Sequence, residues 1–148
     1  MLGAGPVVTA EELIRRAEPI LAGLTEATRE TTFISRRIGL SATSLAQQPS
    51  PESLRVVLEP GQTGPLHVGA VALVLLAHAP DEVIEAALGE VVDETAIRRE
   101  LPRIVAAGFA ADDGLTVPGA TTLAVPVLRR ARERPLADTS TTCVAPGH

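Results

Sequence analysis

The sequence predicts an α+β domain with an antiparallel sheet, and two observations lead to this class. Segments with helical periodicity occupy the middle of the chain, in addition to one helix near its start. Segments rich in β-branched residues and turn signals lie before residue 60 and after residue 108. Because strands and helices do not alternate one by one, the order favours an antiparallel sheet over βαβ units.

The first helix is predicted over residues 9–30, where apolar residues recur at spacings of three and four. Thr9 and Glu12 form a capping box at its start, and Pro19 is expected to kink or split it. Its apolar stripe comprises Leu13, Ile14, Ala17, Ile20, Leu21 and Leu24. A stripe this broad predicts a homo-oligomer, most simply a dimer.

The other elements follow from apolar runs and from Gly and Pro signals. Before the middle helices, strands are expected at residues 31–34, 38–42 and 54–59, with loops at 46–53 and 61–65. Helices are expected at residues 66–79, 80–88 and 93–107. The third helix is expected to be capped by Asp93 and to end at a left-handed Gly108, and Pro102 inside it is a local conflict with helical structure. Strands then follow at residues 109–112, 116–117, 121–128 and 136–145, with turns at 113–114 and 118–119 and a charged connection at 129–135.

Composition excludes several classes of protein. With 13 basic and 18 acidic residues the net charge is −5, the wrong sign for a nucleic-acid binder that works through a basic surface. A single cysteine permits no disulfide within the chain. The longest apolar run, residues 68–77, is too short to span a membrane, and the N-terminus lacks the charged region of a secretory signal.

The residues that could carry chemistry form no strong motif. His67 and His78 are eleven residues apart, so on one helix they are separated by about 16 Å and cannot share a metal ion. Asp112 and Asp113 are neighbours in a strand, where alternate residues face opposite ways, and a turn role competes with acid–base chemistry. No sequence motif places a general base next to Cys143, which is more typical of a small buried residue. We therefore expect no enzyme, no catalytic residue, no metal and no cofactor.

One stretch resembles a known signature. Residues 108–112 (Gly-Phe-Ala-Ala-Asp), 118–119 (Pro-Gly) and 123–127 (Leu-Ala-Val-Pro-Val) resemble the signature of the IclR family of bacterial transcription regulators, in its C-terminal effector-binding domain. Residues 17–21, 28–31 and 65–67 resemble the family's entry helix, its turn into the first strand and its Pro-Leu-His element. The chain departs from the family pattern at Leu115, where Glu is usual, at Thr122, and at residues 72–73.

The resemblance implies a GAF-like fold, a curved antiparallel sheet flanked by helices, with a pocket for a small organic acid. Carried over position by position, the ligand-binding residues are Ala70, Val71, Asp112, Thr122, Cys143 and Ala145. Asp112 and Thr122 are expected on neighbouring strands facing one cavity, with Asp112 bonded to backbone groups or to the ligand's hydroxyl or keto end. The alternative is that these positions are simply core.

The resemblance also implies how the chain works. It predicts a ligand-sensing domain over residues 9–146 after a flexible segment at 1–8, acting in the cytoplasm on a small organic acid effector. DNA binding is expected only through a helix-turn-helix, for which the eight residues before Thr9 leave no room. The alternative is a ligand-free dimerisation module that modulates a full-length relative.

Overall fold

A computed structural model describes residues 9–53, 55–129 and 134–146, with side chains as far as residue 127. Six antiparallel strands form one sheet in the order β3-β2-β1-β6-β5-β4. The strands are β1 (Thr31–Ile38), β2 (Ser41–Gln48), β3 (Thr63–Pro65), β4 (Ala110–Asp113), β5 (Ala120–Arg129) and β6 (Arg134–Pro146). The helices are α1 (Ala10–Thr28), α2 (Ala70–Ala77), α3 (Asp81–Leu88) and α4 (Glu94–Ala107). The α+β class and the antiparallel sheet are confirmed.

Helix α1 covers one face of the sheet at β1 and β2. Leu13, Ala17 and Leu21 pack with Ile34 of β1, at the four-residue spacing of one helical face. The predicted stripe is therefore narrower than expected: Ile20 and Leu24 remain exposed, and most of the rest packs on the chain's own sheet. The helix is not split at Pro19, since it is continuous over Ala10–Thr28.

Helix α2 covers the opposite face and forms the centre of the main core. Val74, Leu75 and Leu76 are almost completely buried, and the helix contacts β4, β5, β6 and α4. Its predicted start at residue 66 is wrong, because Gly69 at φ +94° breaks the helical path just before Ala70. The helices α3 and α4 match their predicted positions, and α4 ends at a left-handed Gly108. Asp93 precedes α4 but its side chain makes no capping bond, and α4 runs through Pro102 uninterrupted.

Three strand predictions are corrected. The expected strand at residues 38–42 is divided by a turn at residues 39–40: Ile38 ends β1, and Ser41 and Ala42 begin β2. Strand β2 then continues to Gln48, three residues into the expected loop at 46–53. The described part of the expected strand at 54–59 is irregular, because the Gln47 side chain, not a backbone strand, pairs with both the amide and the carbonyl of Leu58. Residues 116–117 belong to the β4–β5 connection. The last strand, β6, is confirmed.

Within the described residues, no helix is long and apolar enough to cross a membrane.

Candidate functional site

The N-terminus of α2 contains two of the predicted site residues, Ala70 and Val71, and is bonded to a third, Asp112. Gly69 lies just before the helix at φ +94° and ψ 161°, a region that essentially only glycine occupies. A Cβ built on Gly69 would lie 2.4 Å from Thr116 Oγ1 and 3.0 Å from Thr116 N. The β4–β5 connection is therefore packed directly against the start of the helix.

The carboxylate of Asp112 holds these two segments together. Its Oδ2 accepts from the amide of Ala70 and from the hydroxyl of Thr116, both at 2.6 Å. Its Oδ1 accepts from the amides of Leu115 at 2.9 Å and Thr116 at 3.2 Å. The expectation that Asp112 bonds backbone groups is confirmed, and all these donors stabilise a negative charge at the positive end of the α2 dipole.

The charge state of Asp112 follows from the same contacts. Burial raises the pKa of its carboxyl, but the bond from the Thr116 hydroxyl and those from the backbone amides of Ala70, Leu115 and Thr116 more than offset it. The net result is a pKa below the ordinary value for aspartate. Asp112 is therefore ionised at neutral pH and poorly suited to act as a base.

Thr122 lies directly across the β4–β5 pair from Asp112, as the sequence predicts. It is completely buried, between Ala120 and Ala124, which face α2 in the main core. Among the residues that the structure describes, its hydroxyl oxygen has no hydrogen-bond partner. An unpaired buried hydroxyl costs about 1–3 kcal/mol, so Thr122 is either a cost to the fold or a group reserved for a ligand.

A cavity of about 100 Å³ opens between the first turn of α2 and the strands β1, β2 and β3. Val71 and Ala72 form its helix wall, and Thr116 borders it from the β4–β5 connection. The first helical hydrogen bond is donated by the Leu73 amide to the Gly69 carbonyl. The amides of Val71 and Ala72 precede that bond, so they have no carbonyl partner in the helix.

The structure brings together four of the six predicted site residues. Asp112 is connected to Ala70 by a hydrogen bond and to Thr122 by strand pairing, and Val71, the neighbour of Ala70, lines the cavity. Residues 143 and 145 are paired with Leu123 and Thr121, whereas Thr122 is paired with residue 144. Leu123 and Thr121 are exposed, on alternate positions from buried Thr122. The register therefore does not group Cys143 or Ala145 with Thr122, and their side chains lie outside the described residues.

The remaining candidates have local structural roles. The ring nitrogen Nδ1 of His78 lies 2.9 Å from the carbonyl of Val74, one turn back, and His67 precedes α2 and lies off the helix. Asp113 accepts from the Thr121 hydroxyl at 2.6 Å and does not share the carboxylate site. In the described part of the chain, no group of three metal-binding side chains is present.

Sequence reasoning missed Thr116 and Gly69, which complete the α2 N-terminus. Asp112 followed by Gly114 and Thr116 is typical of an aspartate that binds amides a few residues further along. That signal was available in the sequence. The contact across 42 positions between Asp112 and Ala70 was not, since no local pattern specifies it.

Comparisons with known proteins agree with these observations. A family model described as bacterial transcriptional regulator IclR C-terminal matches residues 6–139. The HTH-type transcriptional regulator BhcR of Paracoccus denitrificans is 30% identical over 131 residues, which cover 82% of this chain and 47% of that protein. The chain thus spans about half the length of this relative.

Two solved structures share the fold. The C-terminal domain of a transcriptional regulator from Vibrio cholerae has a TM-score of 0.81 at 26% identity, covering 95% of this chain and 86% of that one. An IclR homologue from Microbacterium hydrocarbonoxydans, complexed with 4-hydroxybenzoate, also has a TM-score of 0.81 at 26% identity. That match covers 93% of this chain and 60% of the homologue.

Proposed function

Because this chain belongs to the IclR family of bacterial transcriptional regulators, as a C-terminal domain, we propose that it binds a small organic acid effector. The proposed site lies at the N-terminus of α2, and the proposed setting is the cytoplasm, where a regulator meets both metabolites and DNA. The observation that carries the proposal is the cavity at the first turn of α2, which is bordered by Val71 and Ala72 and lies next to the segment held by Asp112.

The ligand's carboxylate would bind the amides of Val71 and Ala72. Val71 and Ala72 line the cavity at the positive end of the helix dipole, where anions are favoured. Asp112 already occupies the amide of Ala70 and would repel a second carboxylate at that position. The acid group is therefore displaced from Asp112 towards the cavity. Thr122 stays a proposed contact from the sheet, although it does not line the cavity. Cys143 and Ala145 stay predictions for the last strand.

The complex with 4-hydroxybenzoate seen in the Microbacterium homologue supports an organic acid as the class of ligand. Calorimetric titration with glyoxylate, pyruvate, propionate and 4-hydroxybenzoate tests the proposal. We expect saturable binding of at least one acid, together with a rise in melting temperature as ligand is added. Absence of both heat and thermal shift with every acid would refute it.

Thr122→Val separates a ligand-binding role from a merely structural one. Valine removes the unpaired hydroxyl at nearly constant shape, so the free protein should be as stable as the wild type or more stable. Binding of the acid should weaken by about 1 kcal/mol, the net value of one hydrogen bond. Thr121→Val, at the neighbouring exposed position, serves as the control and should leave binding unchanged. A variant that is less stable but binds equally well would show that the hydroxyl serves the fold.

Self-association of the chain stays a prediction. The apolar surface on α1 that could form the contact is smaller than the sequence implied. Ile20 and Leu24 are the exposed part of the α1 stripe, at 62% and 39% exposure. Burying them against a second copy would remove apolar surface from water. Sedimentation equilibrium is expected to give a dimer, and Ile20→Glu is expected to shift it towards monomer. A wild-type chain that stays monomeric at high concentration would contradict this.

A further inference from the structure

The strand wall of the cavity carries two serines that face each other across β1 and β2. Ser35 and Ser44 are paired in the register, and both line the cavity opposite Val71 and Ala72. Upstream of this pair the register matches Ile34 with Ala46, so Leu45 is an extra residue on β2. This bulge brings Ser44 opposite Ser35, whereas an unbroken ladder would pair Ser44 with Arg36.

The bulge also separates the two faces of β2. Leu45 and Ala46 both pack on the α1 side with Ile34, while Ser44 lines the cavity on the α2 side. In a regular strand, successive side chains point to opposite faces, so Leu45 and Ala46 could not both face α1 without the bulge. Bulges often re-aim side chains next to binding sites, and here the redirected side chain is a hydroxyl.

Both serines are buried residues, and their hydroxyls are available to a ligand in the cavity. Ser35 is 3% exposed and Ser44 is 8% exposed. Within residues 9–53, 55–129 and 134–146, neither side chain has a hydrogen-bond partner, although the backbone of Ser44 bonds to Gln62 and Gly61. Because hydroxyls in this position gain by finding a partner, the pair points to a polar group inside the cavity.

The cavity limits the size and the charge of its occupant. Its volume of about 100 Å³ corresponds to roughly three water molecules at about 30 Å³ each, which is room for an acid of two to four carbons. Its lining contains no charged side chain. An anion bound by the helix amides would direct the end remote from its carboxylate towards the two serines, and Gln62, Thr63 and Thr116 complete the polar lining.

We propose that Ser35 and Ser44 bind the hydroxyl or keto oxygen of the ligand, so that the site selects short hydroxy and oxo acids over plain carboxylic acids of equal length. This inference rests on the proposed function, since it assigns the polar wall of the same site. A plain acid leaves both hydroxyls unpaired, and a site built around polar groups rejects ligands that leave them so.

Three acids of three carbons test the selectivity: lactate, pyruvate and propionate. In calorimetric titration of the wild-type chain, we expect lactate or pyruvate to bind at least about tenfold more tightly than propionate. In the double variant Ser35→Ala/Ser44→Ala this preference should fall to about twofold or less. Propionate should bind both proteins with nearly the same affinity.

Ser41→Ala is the matched control, since Ser41 lies on the same strand but does not line the cavity. It should keep the wild-type preference. If the double variant does not fold, Ser44→Ala alone is measured and should lose part of the preference. Equal affinity of the wild type for all three acids, or full preference in the alanine variants, overturns the inference. Failure of every acid to bind overturns the proposed function itself.

Discussion

Replacing Asp112 with alanine is expected to lower the free energy of unfolding by about 3 kcal/mol at neutral pH. The substitution leaves the amides of Ala70, Leu115 and Thr116 without their charged acceptor. Bonds to charged groups contribute about 1.5–3 kcal/mol each, and water replaces part of them at this half-buried site. Chemical denaturation of wild type and variant measures the difference.

Asp113→Ala provides the matched control for this prediction. Asp113 is the neighbouring carboxylate, exposed and bonded to the Thr121 hydroxyl. Its removal should cost less than about 1 kcal/mol. An Asp112→Ala variant as stable as Asp113→Ala would show that the carboxylate does not hold the α2 N-terminus.

The contribution of Asp112 should also depend on pH in a defined direction. Its pKa in the folded chain is lower than the ordinary value, so the unfolded chain takes up the proton first as the pH falls. The stabilisation is therefore fully present above the pKa of Asp112 in the unfolded chain, about 4. It is lost as the pH falls through the pKa of Asp112 in the folded chain. The stability difference between wild type and Asp112→Ala should be constant from pH 8 to pH 5, by the same linkage, and narrow below about pH 4. A difference that grows on acidification would contradict the role of the ionised carboxylate.

Gly69→Ala is expected to cost at least about 2 kcal/mol, because two penalties combine. The backbone at Gly69 lies in a region that only glycine occupies readily, at a cost of order 1–3 kcal/mol for other residues. The added methyl group would also meet Thr116 Oγ1 at 2.4 Å and its amide at 3.0 Å. Since Thr116 is bonded to Asp112, it cannot yield without breaking that contact.

Gly39→Ala separates the two penalties. Gly39 also has a positive φ, +61°, but a Cβ there meets no atom within 4 Å. Its substitution should cost only the backbone penalty, about 1 kcal/mol. The thermal unfolding of the two variants is compared directly. Equal losses would mean that the β4–β5 connection is not tightly packed against α2. A larger loss for Gly69→Ala should be accompanied by weaker binding of acids, since the helix amides shift.

Local patterns were sufficient for the elements whose ends carry their own signals. The capping role of Thr9 is confirmed by its bond from the Glu12 amide, and the left-handed Gly108 ends α4 as its position predicts. Pro19 and Pro102 do not interrupt their helices, because each lies on an exposed helix surface where water can satisfy the freed carbonyl. The start of α2 was misplaced for a different reason: the apolar run continues past the break, and only the contact with Thr116 requires Gly69 to leave the helical path.

By itself, the sequence determined the α+β class, the family signature around residue 108 and the pairing of Asp112 with Thr122, because each depends on residues close together in the chain. The tertiary structure alone decided how the site is assembled. The contact of Asp112 with Ala70 spans 42 residues, and the bulge at Leu45 sets which side chains of β2 face the cavity. A shift of one residue moves every side chain of a strand to the opposite face. For that reason Ser35 and Ser44 could not be identified from their spacing, and the choice of residues 143 and 145 depended on a register that only the folded sheet defines.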